Sequence, residues 1–193
     1  MKKRQFLSAA ALAGGVLPAI GLAAPARARG PALLTLTGAL GKVNRGGVDP
    51  VRDQMMHKQK ISFDKAYAFD FDALMALPAH TIKPSLEYDA KVHVLRGPLL
   101  VDVLAAAGVG GETGAKLVLR AVDGYAVALD VAQARAQRFI VATHLDGAAM
   151  ALGGLGPLWA VYDADRVPDM AARPLTQRFA LCPWALYHID VQT

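Results

Sequence analysis

KLVLRAVDGYAVAL, residues Lys116 to Leu129, decides the fold class. Leu117, Leu119 and Ala121 alternate with Lys116, Val118, Arg120 and Val122, and the alternation resumes at Tyr125, Val127 and Leu129. That period of two places alternate side chains on opposite faces of a strand. Asp123-Gly124 between the two runs supplies the positive φ values of a tight turn, so the segment is predicted as a β-hairpin.

Working outward, Leu33 to Thr37 reads as an opening strand ended by Gly38 to Gly41, and Tyr67 to Phe69 as a short strand. Asp70 is placed to cap a helix that runs to about Leu77 and stops at Pro78. Leu86 to Tyr88 and Val92 to Leu95 read as strands. Leu99, Leu100, Val103, Leu104 and Ala107 share one helical face, with Gly108 as the stop. Asp130 is expected to cap a short helix to about Ala136, followed by a strand from Phe139 to Thr143 and a turn at Asp146-Gly147. Leu158 to Tyr162 reads as a central strand, Asp163 to Pro174 as loop with a helical turn, and Ala185 to Val191 as the strand that closes the sheet. Asn44 to Lys60 (NRGGVDPVRDQMMHKQK) has neither period and reads as a loop. Many short strands with a few helices between them point to an α+β domain.

The N-terminus reads KKRQFLSAAALAGGVLPAIGLAAPARARG: a basic start, an apolar run from Phe6 to Ala24, then small-residue cleavage positions. Residues 1–28 are therefore expected to be an export signal and 29–193 a single domain in the periplasm. Lys3-Arg4-Gln5-Phe6-Leu7 is close to a twin-arginine pattern, with Lys for the first Arg. Glycines and a proline interrupt the apolar run, which argues against a lasting anchor. Four of the 21 basic residues precede a cut after Ala28, leaving 17 against 16 acidic. A chain so near neutrality does not suit nucleic acid. One cysteine, Cys182, rules out an internal disulfide, so an apolar core must hold the domain together.

Between Gly153 and Val191 the chain reads GGLGPLWAVYDADRVPDMAARPLTQRFALCPWALYHIDV. In order with FDFDALMALP (Phe69 to Pro78), RGPLLVDVLAAAG (Arg96 to Gly108), RAVDGYAVAL (Arg120 to Leu129) and THLDG (Thr143 to Gly147), this resembles the sulfite-oxidase-type molybdopterin-binding domain family. The resemblance covers roughly Leu33 to Val191. It implies an α+β fold with a mixed β-sheet or barrel-like core and short helices. It also implies a molybdenum-binding cysteine between Thr81 and Lys91, where this chain reads TIKPSLEYDAK, with no thiol. A cofactor-holding Lys before the family's last Trp is replaced by Pro183, before Trp184. The fold is thus expected without the metal site.

Several residues could carry chemistry. A flat heterocycle such as a pterin is well held by an aromatic face and a carboxylate that pairs with its N–H groups. Trp184, Trp159, Tyr125 and Tyr162 are the candidate aromatics, with Tyr88 and Tyr187 besides. Asp123 is the leading candidate carboxylate, with Asp163 and Asp165. The ordinary alternative is that these aromatics fill the core and the aspartates cap turns. His144, at a strand end, and Arg45 and His57, in the polar 44–60 segment, complete the candidate ligand-binding set, since long polar loops in compact domains are often functional. Met55-Met56-His57 offers soft donors, but no second His lies at a spacing that completes a site, so no metal is expected. Cys182 is the one thiolate a molybdenum enzyme could use; a small buried residue is the ordinary alternative. No Gly-x-Ser-x-Gly elbow occurs, and Ser62 and Ser85 are the only serines after the signal.

What the resemblance implies is a non-enzymatic periplasmic binding protein for a pterin-type ligand, signalling to an inner-membrane receptor. A molybdopterin-dependent oxidoreductase with an atypical or absent cysteine ligand is the alternative, and a ligand-free interaction domain the second.

Overall fold

The computed structural model describes residues 30–110 and 114–192. The expected export signal lies outside the described residues. No helix among the described residues is long and apolar enough to cross a membrane.

The chain is α+β. It begins with β1 (Leu34–Gly38), β2 (Arg45–Gly46), α1 (Gln54–Lys58), β3 (Lys65–Phe69), α2 (Phe71–Met75), β4 (Ala79–Ile82), β5 (Leu95–Pro98) and α3 (Leu100–Ala106). There follow β6 (Lys116–Ala121), β7 (Ala126–Asp130), α4 (Val131–Ala136), β8 (Ile140–Ala142), β9 (His144–Leu145), β10 (Ala148–Ala149), β11 (Trp159–Val161), α5 (Pro168–Ala171) and β12 (Leu186–Gln192). The principal sheet has the order β2-β3-β1-β12-β6-β7, and β1 runs parallel to β12 while every other pairing in it is antiparallel. It is mixed, as expected, but open rather than barrel-like. A smaller sheet orders β10-β9-β5-β4, and β8 pairs with β11.

The hairpin forms where the alternation places it, with Leu117, Leu119, Val127 and Leu129 buried. Its turn differs in kind. Gly124 alone is left-handed, at φ +92°, and its N–H donates to the Ala121 carbonyl while Ala121 N–H donates to that of Tyr125. This is a three-residue turn with a glycine bulge, which needs one positive φ and not two. The two-residue type sits instead at Asp146-Gly147, where both φ values are positive, +50° and +85°.

One apolar core joins Leu34, Leu36, Leu117, Leu119, Ile189 and Val191 of the principal sheet to Leu100, Val103 and Leu104 of α3 and to β11. Each such leucine, fully buried, contributes about 1.5–3 kcal/mol over an exposed one. In β5, Gly97 has no substitute: an added Cβ would stand 1.9 Å from the Val141 carbonyl oxygen. Asp70 caps α2 as expected, accepting from Ala73 N–H at 2.8 Å, and Gly108 turns left-handed, at φ +76°, beyond α3.

Several expectations are corrected. Asp130 precedes α4 without a side-chain cap bond. Leu86 to Tyr88 is a turn, closed by the single bridge Ser85 to Val92, and the strand expected from Val92 starts at Leu95. The edge strand β4 lacked alternation and was not expected. Leu158 to Tyr162 supplies β11, in a two-stranded pairing and not the middle of the large sheet. The last strand, β12, is interior, between β1 and β6.

The 44–60 segment is no plain loop. It holds β2 and α1 and packs against the sheet at Thr35 and Tyr187, which share a concavity with Met56. The Asn44 side chain extends the β3 ladder, donating to the Ala68 carbonyl and accepting from Ala68 N–H. Gln59 accepts from the Tyr187 hydroxyl at 2.7 Å and donates to the Val122 carbonyl. α1 has only five residues and, unlike α2, no side-chain cap at its start, so neither period nor cap reveals it in the sequence.

Candidate functional site

Three segments distant in sequence meet around a cleft of 310 Å³. The first is the Ser85–Val92 turn, closed by Leu86 N–H to the Lys91 carbonyl and Ala90 N–H to the Leu86 carbonyl. It contributes Glu87 and Tyr88. The second is the β6–β7 turn, with Asp123 and Tyr125; Asp123 Oδ1 accepts from Tyr125 N–H at 2.8 Å, as an Asx turn does. The third is the stretch from Thr176 to Trp184. It is tied to the hairpin by the Tyr125 hydroxyl, which donates to the Ala180 carbonyl at 2.7 Å, and by Val122 N–H to the Ala185 carbonyl.

Four of the candidate residues are thereby brought together: Trp184, Tyr125, Tyr88 and Asp123. The three aromatic side chains are 39%, 49% and 56% exposed, respectively. Surface patches of large rings around a concavity are interaction features, where single exposed apolar residues are ordinary. Glu87, which the sequence did not single out, adds a second carboxylate. Partial burial, and then the neighbouring Glu87 charge, raise the Tyr88 phenol above its usual pKa. Among the described residues no basic side chain lines the cleft.

Cys182 also borders it, yet is only 4% exposed. Burial pushes the thiol well above its ordinary range, Glu87 adds to this, and a hydrogen bond from the Tyr162 backbone opposes it only in part. The cysteine is held as a thiol.

The other candidates lie elsewhere. Trp159, 1% exposed, sits in the core with its indole N–H on the Cys182 carbonyl at 2.9 Å. Tyr162 stacks on Phe139 with ring centroids 4.8 Å apart and donates to the Arg178 carbonyl, and burial pushes its phenol up to about 12. These two rings are structural. His144, in β9, bonds Thr143 Oγ1 and leans on Phe71. Arg45 pairs with Asp53 and lies over the Phe63 ring, while His57 is exposed on α1. Asp163 and Asp165 are clamps: their carboxylates accept from Lys83 N–H at 3.3 Å and Ser85 N–H at 2.7 Å. They fasten the strap that leads from β4 to Tyr88. Among the described residues no three His, Cys, Asp or Glu side chains group as a metal site.

No family model matches the chain, and no curated protein matches it.

Proposed function

We propose that this protein is a periplasmic binding protein for a pterin or similar amino-substituted heterocycle, which it holds in the Trp184 cleft and reports to a partner in the inner membrane. The observation that carries the reading is the meeting of Trp184, Tyr88 and Tyr125 with two carboxylates, Asp123 and Glu87, around one small concavity. Rings take the faces of a flat ligand, and carboxylates accept from its amino and ring N–H groups. A cleft of 310 Å³ falls at the small end of the roughly 300–1,000 Å³ that ligand sites occupy. The sulfite-oxidase-like fold and the exported location belong to the same reading, through the family resemblance. That resemblance supports it further because the 81–91 segment, where such enzymes bear their metal-binding cysteine, supplies Glu87 and Tyr88 to the cleft.

Molybdopterin itself does not fit. A thiolate ligand must lose its proton, and Cys182 is held protonated beside a carboxylate. The cofactor also carries a phosphate, and a cleft lined by Glu87 and Asp123 without a basic side chain repels it. A neutral or protonated heterocycle suits the same surroundings.

Calorimetric titration with oxidised and reduced pterins, alongside tryptophan fluorescence, tests the proposal. Saturable heat with quenching of Trp184 is the expected result. Absence of both at high micromolar ligand would leave the ligand-free interaction domain, and near-stoichiometric molybdenum in natively exported protein would restore the oxidoreductase.

A further inference from the structure

A second concavity, of 380 Å³, opens between β4, the end of α4 and the segment that follows β11. Ile82, Leu99 and Ile140 give it an apolar wall. Its charged residues are Arg138, Arg166 and Asp163, so positive charge exceeds negative. Asp163 is engaged with the strap through Oδ2, and its Oδ1 is buried without a hydrogen-bond partner. Neither arginine forms an ion pair with a carboxylate among the described residues.

Arg138 occupies an unusual place. It follows the C-terminus of α4 at φ +53°, with its N–H on the Arg135 carbonyl and Phe139 N–H on that of Ala134. Glycine or asparagine normally fills such a helix end, because a side chain there crowds the backbone. An arginine tolerated at that site, with Nη2 3.4 Å from His80 Nδ1, points to a use for its side chain. The contact is to a ring nitrogen and not to a carboxylate, so no anionic partner offsets the guanidinium charge there.

From this geometry we propose that the concavity binds a small organic anion, a carboxylate or phosphate ester with an apolar body. Its anionic head sits between the Arg138 and Arg166 guanidiniums, and its body lies on Ile82, Leu99 and Ile140. Arginine's planar fork suits both kinds of oxyanion. The site is separate from the Trp184 cleft and does not depend on the pterin reading.

Calorimetry of the purified protein at low ionic strength with phenyl phosphate, benzoate and inorganic phosphate provides the test. Phenyl phosphate and benzoate bind, inorganic phosphate at least about tenfold more weakly, and added salt weakens all three. Arg166→Gln and Arg138→Gly each reduce affinity by about tenfold. Arg138→Gly at the same time raises the melting temperature, since glycine relieves the left-handed position. Binding and stability moving in opposite directions separates a ligand contact from a structural one. The proposal is overturned if no probe binds at low millimolar concentration, if Arg166→Gln and Arg138→Gly bind as the unsubstituted protein does, or if inorganic phosphate binds as tightly as phenyl phosphate.

Discussion

Trp184 and Asp123 bear on the cleft without holding up the core, because the ring is 39% exposed and the carboxylate sits on a turn. Loss of a stacking ring costs about 0.5–1.5 kcal/mol beyond its area, and loss of a charge-assisted hydrogen bond about 1.5–3. Trp184→Ala and Asp123→Ala should each weaken pterin binding by about tenfold with unfolding still cooperative, measured by calorimetry and urea denaturation. Trp159→Ala should instead unfold the domain or nearly so, by about 3–5 kcal/mol. Arg178 is a different case. Its guanidinium donates to Asp165 at 2.7 Å and to the carbonyls of Arg173 and Ala171, at 18% exposure. Arg178→Ala takes the counter-charge from Asp165 and the donors from two carbonyls, so a loss of about 2–4 kcal/mol in unfolding free energy, read from urea denaturation, is expected. In sequence the two tryptophans look alike; only the packing of β11 separates the structural one from the exposed one.

The turn that bears Glu87 and Tyr88 is latched by one residue. His93 lies between Asp146, 2.7 Å from Nδ1, and Asp89, 3.1 Å from Nε2, with Lys91 also near Asp89. The hydrogen bond to Asp146 is the largest influence and raises the His93 pKa; desolvation opposes it, and the hydrogen bond to Asp89 with the charges of both carboxylates adds to the rise. A raised pKa in the folded state gives stability that is complete below the unfolded value near 6.5 and disappears as pH climbs through the folded one. Amide-exchange protection at Leu86 and Ala90 should therefore fall above that pH, and His93→Ala should remove the dependence. Constant protection across the range would show that the latch does not govern the turn. None of this was legible in the sequence, where Leu86 to Tyr88 and Val92 to Leu95 read as two strands. Alternation reveals strands with one wet face, such as β6 and β7. It misses edge strands such as β4 and side-chain clasps that join residues 53 positions apart. For the same reason the sequence named Trp184, Tyr125, Tyr88, Asp123 and Cys182 of the cleft and missed Glu87, Thr176 and Phe179, which carry no motif.

At the scale of the molecule, acid should weaken the fold through β12. His188 is 1% exposed, with Nε2 3.0 Å from Thr37 Oγ1 and Nδ1 unpartnered. Burial first, then the Arg120 charge, push it down to about 4, against the opposing pull of Asp190. Above pH of about 6.5 the ring is neutral in both states and contributes nothing to the pH dependence. Between there and 4 the unfolded chain takes up a proton that the folded one refuses, so stability falls by on the order of 3 kcal/mol. Denaturant midpoints at pH 7 and 4.5 measure the loss, and His188→Gln, which cannot titrate, should reduce it.

The position of β12 has a further consequence, for synthesis. Thr37 of β1 bonds Asp190 of β12 across 153 residues, and β12 stands between β1 and β6. At roughly 5–20 residues per second, β1 waits on the order of ten seconds or more for that neighbour to be made. Through that interval the edge of β1, joined by that of β6 once Lys116 to Ala121 are made, presents an open ladder of N–H and C=O groups, the kind of edge that recruits strands from other chains. The large sheet can therefore be completed only after Leu186 to Gln192 have left the ribosome. A nascent chain halted before them should be more prone to aggregate, and a better substrate for chaperones, than one halted beyond.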